Sequence, residues 1–537
     1  MLDKKIAKYI YIFSILYALG TIIFFPKWLV DDAYITFRYA ENLANHFQLT
    51  YNVNSHPIEG YTGIILPVFI AIAIKIGISP IVATHAIGII SFIASVIFLV
   101  LLLKKINISD LVCSITILIF SYMPIIYTHI FSGLETILFL SNLIIVIYYS
   151  IVLLSNNSNK NTSFVLFGLL LLFLSFVRPE GVLFSILITL FCGIYYYTEK
   201  KYLFNKFTVS ILSVFIIPFI VYFLWRWNYY GQFFPNTYYL KASNFTFAYE
   251  SYKSFIEFFE KYFALPFIIS LFLVVINIDR LWKEIRNNDS KILSKEFMFV
   301  LLPTLLFTII LLLQYFYTDL LMDFSHRFFI PTLPVLLILF AVLLTIGFKN
   351  LSNLSISNPL TSKVYIILIV CFFFLHFQSI IPDMKKEVNL DARMKLLLEE
   401  VHIPTGKYIE EHFNKNATLL VHADAGAIPY FAKLKTIDFG GLNDDYLSHR
   451  NRLSEKQMID YFFDVNADVL AITSFNRNKL ERKEGSLNWN TLKNTLKDKR
   501  FNNYTLVKIF SCSVWTYYEF VYVKNEIYNK KFLDKDK

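Results

Sequence analysis

Long apolar runs dominate the first two thirds of the chain and alternate with short polar motifs. A run of about 20 apolar residues is long enough for a helix to cross a bilayer. The pattern predicts about eleven membrane helices, at 8–28, 81–103, 110–128, 134–154, 164–178, 180–198, 208–228, 263–279, 297–315, 328–348 and 363–382. A further apolar stretch at 61–77 is a twelfth candidate.

The apolar runs end near residue 382, and the pattern of the remaining chain is different. Short segments rich in β-branched and aromatic residues predict strands, at 417–423, 435–439, 467–474, 504–510 and 514–523. An amphipathic segment at 453–465 predicts a helix among them. We therefore expect a transmembrane domain over 1–382 and a soluble α/β domain over 383–537.

The composition is that of a polytopic α-helical membrane protein. Of the 537 residues, 56% are hydrophobic and 17% are charged, whereas soluble proteins carry about 25% charged residues. The formal net charge of +10 comes mostly from loops between apolar runs. It therefore indicates orientation in a lipid bilayer rather than binding to nucleic acid.

The basic loops predict which side of the membrane each segment faces, because Lys and Arg concentrate on the cytoplasmic side. Three lysines within the first eight residues place the N-terminus in the cytoplasm. The basic loops at 104–105, 199–201 and 279–295 lie on that side only if 61–77 does not cross completely. The α/β domain is then expected outside the cytoplasm.

Under this topology six polar motifs share the non-cytoplasmic face. They are DDAYITFR (31–38), PIEGYT (57–62), SGLET (132–136), RPEG (178–181), GQFFPNTYYLK (231–241) and DFSHRFFIP (323–331). Polar groups that converge from separate loops are typical of a composite active site.

The adjacent acids Asp31 and Asp32 are the first candidates for catalysis. Two carboxylates at a bilayer boundary are partly desolvated, which raises the proton affinity of at least one of them. Such a carboxylate can take a proton from an acceptor hydroxyl. The alternative is structural: one Asp caps the helix that follows, and its neighbour interacts favourably with the helix dipole.

The other motif loops contain further charged and polar candidates. Glu59 is a catalytic candidate, and Glu135 and Glu180 line the predicted site, although acids in such loops can also cap helices. Side chains that could bind or protonate a phosphate are Arg38, Arg178, Lys241, His326 and Arg327. For the histidine, the alternative is a structural role. Asn236 and Tyr238 could line a sugar, but an aromatic belt at the interface has a similar composition.

The segment 422–450 is the most informative part of the tail. Its polar residues that could bind glycan hydroxyls are Asp424, Asp438, Asn443 and Asp444. A purely structural loop is the alternative. No dinucleotide-binding, Walker, HExxH or paired CxxC motif occurs. The acids could hold a divalent metal, but the predicted chemistry does not require one, and no other cofactor is predicted.

Taken in order, the motifs DDAYITFRYAENLA, PIEGYTG, SGLET, RPEG, YYGQFFPNTYYLK, HRFFIPTLP and DAGAIPYF…IDFGGLND resemble those of the GT-C membrane glycosyltransferases. More narrowly, the sequence is similar to the group that contains the terminal arabinofuranosyltransferase of the mycobacterial cell wall. The resemblance covers nearly the whole chain, including the soluble tail.

This resemblance implies a GT-C fold, an acidic catalytic residue in the first external loop and a polyprenyl-phosphate sugar as donor. The catalytic position matches Asp31 or Asp32, with Asp31 favoured as the base. Glu59 matches the acidic residue at the end of that loop. Lys241 and Arg327 match basic positions near the donor phosphate.

The implied reaction is transfer of a single sugar to a cell-envelope glycan on the outer face of the bacterial cytoplasmic membrane. A pentofuranose such as arabinofuranose is one candidate for the sugar, and the soluble domain is expected to hold the glycan acceptor. The alternatives are a transporter or flippase for lipid-linked glycans and a ligase for intact chains. A transporter should carry charges midway along several spans, whereas the charges here gather at one face. The oligomeric state is not indicated.

Overall fold

The computed structural model describes residues 2–155, 161–200, 206–241, 246–275, 294–318, 320, 322–357, 359–482 and 489–530. Its helical part consists of α1 Leu2–Phe24, α2 Asp31–His46, α3 Ile65–Lys75, α4 Pro80–Lys105, α5 Asp110–Tyr122, α6 Pro124–Phe131, α7 Thr136–Ser155, α8 Asn161–Val177, α9 Pro179–Lys200, α10 Lys206–Tyr230, α11 Asn236–Lys241, α12 Tyr249–Val275, α13 Lys295–Phe316, α14 Leu333–Ser357 and α15 Pro359–Leu397. A 3₁₀ segment, Phe324–Thr332, precedes α14.

Eight helices of the described chain are long and apolar enough to cross a membrane, namely α1, α4, α7, α9, α10, α12, α13 and α14 with its 3₁₀ segment. The pair α5 and α6 is bent by 56° and would count as a ninth span. Helix α8 has 17 residues and is shorter than each of these eight candidate spans. The last predicted span, 363–382, lies in α15, where some side chains fall outside the described residues. The fold is therefore polytopic and helical as predicted, although eight or nine spans are identified where the sequence predicts about eleven.

Helix α3 lies in the apolar stretch 61–77. It has 11 residues, which at 1.5 Å per residue give a length of roughly 16 Å. The hydrocarbon core of a bilayer is about 30 Å thick. This helix is therefore too short to cross alone, in agreement with the prediction that 61–77 does not cross completely.

A five-stranded mixed sheet with helices around it forms the C-terminal part. Its elements are α16 Ile403–His412, β1 Thr418–His422, α17 Ala427–Ala432, β2 Lys435–Asp438, α18 Asp445–Ser448, α19 Glu455–Asp464, β3 Val469–Ser474, α20 Trp489–Thr495, β4 Tyr504–Ser511, β5 Tyr518–Lys524 and α21 Asn525–Tyr528. A π-helical turn, Leu398–His402, joins α15 to α16. The strand order is β2-β1-β3-β5-β4.

Strands β2, β1 and β3 are parallel, whereas β5 runs antiparallel to both β3 and β4. All six residues of β3 are buried, because this central strand has a neighbour on each side and is covered on both faces. Helix α19 begins with a capping box of Ser454 and Gln457, which satisfies donors at both ends of the first turn. The five predicted strands and this helix are confirmed.

Helix α2 is shared between the two parts of the molecule. Ala33 and Phe37 pack into the core of the helical part. Ile35 and Tyr39 lie on the other side of α2 and pack with buried residues of the sheet domain. The start of α2 is thereby placed where the two parts meet. The predicted boundary near 382 falls inside α15, so the division into 1–382 and 383–537 stays a prediction.

Candidate functional site

The loop 132–136 lies against the start of α2. Val30 N donates a hydrogen bond to Ser132 O at 3.0 Å. Gly133 has a φ of +81°, and a Cβ there would lie 2.7 Å from Ala33 Cβ. Both the backbone conformation and the close approach to α2 require glycine at this position.

Four charged side chains from three of the predicted motifs form a buried cluster. Arg178 donates from Nη1 to Glu135 Oε1 at 3.1 Å and from Nη2 to Glu180 Oε1 at 2.8 Å. Arg327 Nη2 donates to Glu135 Oε1 at 3.3 Å, and Tyr315 OH donates to Glu180 Oε1 at 2.9 Å. The two carboxylates balance the two guanidinium groups, which makes their burial tolerable.

A second buried ion pair holds the loop between α2 and α3. Glu59 Oε1 accepts a hydrogen bond from Arg226 Nε at 3.0 Å, and Glu59 Oε2 accepts one from Arg226 Nη2. Burial raises the pKa of Glu59, while Arg226 opposes that increase. The backbone oxygen of Glu59 accepts from Asn236 N at 3.2 Å. The second and fifth motifs are therefore in direct contact.

Two glycines pack the same loop against its other neighbours. A Cβ on Gly63 would lie 2.0 Å from Val177 O, and a Cβ on Gly60 would lie 2.0 Å from Asn443 Oδ1. The first of these contacts links the loop to the motif at 178–181, and the second links it to the C-terminal domain. Together with the cluster and the contact to α2, these contacts bring all six polar motifs to one end of the helical bundle.

The Asp31 side chain does not cap its own helix. The N-cap of α2 is Val30, which provides no side-chain hydrogen bond. Instead, Asp31 Oδ2 accepts from Gly426 N at 2.9 Å, and Asp31 Oδ1 accepts from Ala427 N at 2.8 Å. These amides belong to the first turn of α17, where backbone donors lack partners within the helix. Asp31 therefore caps a helix of the C-terminal domain, while Asp32 is half-buried in the first turn of α2.

His402 lies between Asp31 and a second carboxylate. Its Nδ1 is 3.2 Å from Asp31 Oδ1, and its Nε2 is 3.6 Å from Asp424 Oδ2. Burial alone would lower the pKa of His402, but Asp424 and Asp31 together raise it. Burial would likewise raise the pKa of Asp424, but His402 and the hydroxyls of Thr473 and Tyr517 lower it. The arrangement places the imidazole between two carboxylates, both of which favour its protonated form.

Asp31, His402 and Asp424 could also hold a metal ion, since each offers a ligand atom and these atoms lie within 4.8 Å of one another. Both oxygens of Asp31 already accept backbone hydrogen bonds, and His402 Nδ1 faces one of them. These contacts engage Asp31 and one nitrogen of His402, and the two carboxylates favour the protonated imidazole.

Arg38 was expected to bind phosphate, and the structure places it between α2 and the C-terminal domain. Its nitrogens donate to Asn52 Oδ1 and to the backbone oxygens of Tyr51, Pro429 and Leu434. All of its nitrogens thus have protein partners. This geometry favours a role in holding the C-terminal domain against α2 over contact with a donor.

Three of the four predicted acceptor-binding residues order their own loop. Asp438 Oδ2 accepts from Asn443 N at 2.9 Å, and Asp444 Oδ1 accepts from Leu447 N at 2.9 Å as the N-cap of α18. Burial raises the pKa of Asp438 to about 6, although its hydrogen bonds with Asn443 oppose the increase. These contacts match the structural alternative, and binding of a glycan there stays a prediction. Asp424, the fourth, lies beside His402.

Three further predicted residues lie in the fifth and sixth motifs. His326 has a φ of +55°, and its Nδ1 lies 3.0 Å from Ser254 Oγ in α12. Tyr238 is exposed and packs on Phe234 with ring centroids 4.2 Å apart. Lys241 ends α11, and its side chain lies outside the described residues. Binding of the donor phosphate by His326 and Lys241 and contact of Tyr238 with a sugar stay predictions.

Sequence reasoning missed several charged residues near the site. Arg226 could have been found, because an ionisable residue within an apolar span is expensive and often functional. His402 carries no comparable signal in a polar segment. Asp391 in α15 was also missed: Thr128 Oγ1 donates to its Oδ2 at 3.0 Å, and burial together with nearby Glu387 raises the pKa of Asp391 to about 8.

Comparison with known proteins identifies the fold. A model of a domain of unknown function, DUF8728, matches residues 391–524, and no curated protein matches the sequence. The chain is similar to ArnT from Cupriavidus metallidurans bound to undecaprenyl phosphate, with a TM-score of 0.52, 11% identity and 98% of both chains covered. It is also similar to the archaeal oligosaccharyltransferase AglB from Archaeoglobus fulgidus in complex with an inhibitory peptide and a dolichol-phosphate. That match has a TM-score of 0.51 and 10% identity, and covers 98% of this chain and 77% of AglB.

The chain therefore has the fold of GT-C membrane glycosyltransferases. At these identities the likeness concerns the fold alone, because one fold can host different functions. Membership of the narrower arabinofuranosyltransferase-like group stays a prediction.

Proposed function

We propose that this chain is a membrane glycosyltransferase that moves a single sugar from a polyprenyl-phosphate donor to an acceptor hydroxyl. The main observation behind this proposal is that six polar loops meet at one end of the helical bundle. Asp31 and Asp32 lie next to the loop that contributes Glu135 to the buried charged cluster. The fold shared with ArnT, which was solved with undecaprenyl phosphate, supports this class of donor. Polar side chains gathered at one end also favour a transferase over a transporter.

Arg327 is the proposed contact for the donor phosphate. Its Nη2 donates to Glu135, whereas its buried Nε has no hydrogen-bond partner among the described residues. A buried donor left unsatisfied costs about 1–3 kcal/mol, and a phosphate oxygen would remove that cost. Arg178 is engaged with both Glu135 and Glu180, so its part is to position Glu135.

Asp32 is the proposed base. Both oxygens of Asp31 already accept hydrogen bonds from backbone amides, and one of them faces His402, so an acceptor hydroxyl would have to compete with these donors at Asp31. Asp32 takes the proton from the acceptor hydroxyl, and the acceptor oxygen bonds to the anomeric carbon. The bond between that carbon and the phosphate oxygen breaks, and its electron pair leaves with the polyprenyl phosphate, whose charge Arg327 stabilises.

The proposed side of the membrane and the proposed identity of the transferred sugar are inferred from the sequence. Basic loops support an active face outside the cytoplasm of a bacterium, with the C-terminal domain on that side and holding a cell-envelope glycan. The motif resemblance supports a pentofuranose such as arabinofuranose as the transferred sugar.

Transfer of a preassembled oligosaccharide is the second candidate. The observation that favours it is the similarity to AglB, an oligosaccharyltransferase. The two candidates differ in the mass added to the acceptor, which is one sugar in the first case and a whole chain in the second.

The test uses the full chain in liposomes with undecaprenyl-phosphate donors labelled in the sugar and cell-envelope glycan as acceptor. We expect addition of one labelled sugar, and we expect Asp32→Asn to lower the rate about 10²–10⁴-fold, as for loss of a general base. Asp110→Asn is the matched control, because Asp110 is also an acid in the first turn of a helix. Wild-type rates in Asp32→Asn would remove Asp32 as the base, and failure with every polyprenyl-phosphate donor would refute the proposal.

A further inference from the structure

The first turn of α2 and the first turn of α17 are locked together. Asp31 accepts from the amides of Gly426 and Ala427, and a Cβ on Gly426 would lie 2.0 Å from Asp31 O. Two helix starts that are 395 residues apart in the chain therefore touch without space between them. Any movement of α17 must move Asp31, and Asp32 follows because it is in the same turn.

His402 extends this contact deeper into the C-terminal domain. The residue is 2% exposed, and its Nε2 has no hydrogen-bond partner in the described part of the chain. That nitrogen faces Asp424 at 3.6 Å. Asp424 is fixed in turn by Thr473 Oγ1 at 2.7 Å and by the hydroxyl of Tyr517. A chain of contacts thus runs from the sheet through His402 to Asp31.

We propose that His402 is a positioning residue for sugar transfer: it links Asp31 to Asp424 and so fixes the first turn of α2, with Asp32, relative to the domain that holds the acceptor. This inference rests on the proposed function. A positively charged imidazole strengthens both contacts, because each of its N–H groups then faces a carboxylate. Without that charge one of the two contacts loses its proton.

The surroundings of His402 determine its charge. The groups that face it directly are Asp31, Asp424 and the ring of Tyr517, while Arg482 and Glu519 interact electrostatically with Asp424. Burial and the charge of Asp424 raise the pKa of Glu519 well above its usual value. Asp424 and Asp31 raise the pKa of His402, so the link should weaken as pH rises through that raised pKa.

His402→Asn is the informative variant, because the Asn amide can replace Nδ1 as a donor to Asp31 but cannot reach Asp424 or titrate. We expect kcat to fall about 10- to 100-fold, as for a small displacement of a reacting group, with the KM for the donor unchanged. The alkaline decline of the wild-type rate should be absent from the residual activity of the variant. His412→Asn is the matched control, since His412 lies in the neighbouring helix α16 and its Nδ1 lies 2.9 Å from Tyr408 O of the same helix.

Hydrogen exchange of the Gly426 and Ala427 amides measures the stability of the contact between Asp31 and α17, and this measurement does not depend on sugar transfer. We expect slow exchange in wild type, and faster exchange both in His402→Asn and in wild type at alkaline pH after correction for intrinsic rates. The His402→Asn substitution could speed exchange of these amides even though the wild-type protein transfers no sugar. That result would refute the proposed function but would support the contact between His402 and Asp31.

Two results would overturn the positioning role. One is an unchanged pH profile and kcat in His402→Asn. The other is a loss of activity that EDTA reproduces in wild type and Mn²⁺ or Zn²⁺ restores, with no pH dependence of exchange, because Asp31, His402 and Asp424 would then act as metal ligands.

Discussion

Replacing Glu135 with Gln should destabilise the helical part more than removal of an exposed charge. Glu135 Oε1 accepts from both Arg178 and Arg327, at 3.1 and 3.3 Å, and these side chains are 8%, 4% and 7% exposed. Gln keeps one acceptor but removes the negative charge. Arg178 retains Glu180 at 2.8 Å, whereas Arg327 loses the carboxylate that balances it.

The size of the effect follows from that asymmetry. Leaving one member of a buried ion pair uncompensated costs about 3–5 kcal/mol. We expect about 3 kcal/mol, the low end of that range, because Gln still accepts a hydrogen bond and Arg178 keeps a second carboxylate. The control is Asp110→Asn: Asp110 and Lys104 lie 3.4 Å apart but are 40% and 50% exposed, and such a pair contributes at most about 1 kcal/mol.

The assay is the free energy of unfolding of the full chain in bicelles, measured by steric trapping. A double variant with Glu135→Gln and Arg327→Gln should recover part of the lost stability, because the uncompensated charge is gone. A Glu135→Gln effect no larger than that of Asp110→Asn would refute this account of the cluster. Strict additivity in the double variant would refute the coupling between the two side chains.

Two further predictions concern other parts of the junction. Burial and Glu387 raise the pKa of Asp391 to about 8, whereas the pKa of an Asp in an unfolded chain is about 3.9. The folded state therefore binds the proton of Asp391 more tightly than the unfolded state does. The free energy of unfolding of wild type should fall as pH rises from about 4 to about 8. Denaturation measured across this pH range should show no such decrease in Asp391→Asn. The same change of unfolding free energy with pH in both proteins would contradict the prediction. Gly426→Ala should speed amide exchange in α17, since its Cβ would meet Asp31 O at 2.0 Å. Gly20→Ala, with no atom within 4 Å of its Cβ, is the control, and equal exchange in the two variants would argue against the close contact.

The sequence predicts the elements of this fold well, because most of them leave a local signal. Apolar runs mark the long helices, and short segments rich in β-branched and aromatic residues mark the five strands. The length of the run at 61–77 and the positions of the basic loops indicate the short helix α3. The six polar motifs also meet as expected, since each lies beside the start or the end of an apolar run.

The partners of individual side chains could not be predicted in the same way. Asp31 was predicted to be the base and Arg38 to bind the donor phosphate. In the structure Asp31 caps α17, and Arg38 donates to the backbone oxygens of Pro429 and Leu434. These contacts join residues almost 400 positions apart and use backbone groups, which have no sequence signature. The charge of a side chain indicates that it needs a partner but not which partner it finds.

The most direct test of the central claim is the stoichiometry of donor use. Full-length chain in liposomes is supplied with a sugar-labelled undecaprenyl-phosphate donor and cell-envelope acceptor, and both products are quantified in wild type and Arg327→Ala. We predict one undecaprenyl phosphate released for each sugar added to the acceptor, with both products lost together in Arg327→Ala. Sugar addition without release of undecaprenyl phosphate, or equal release in Arg327→Ala, would contradict the account.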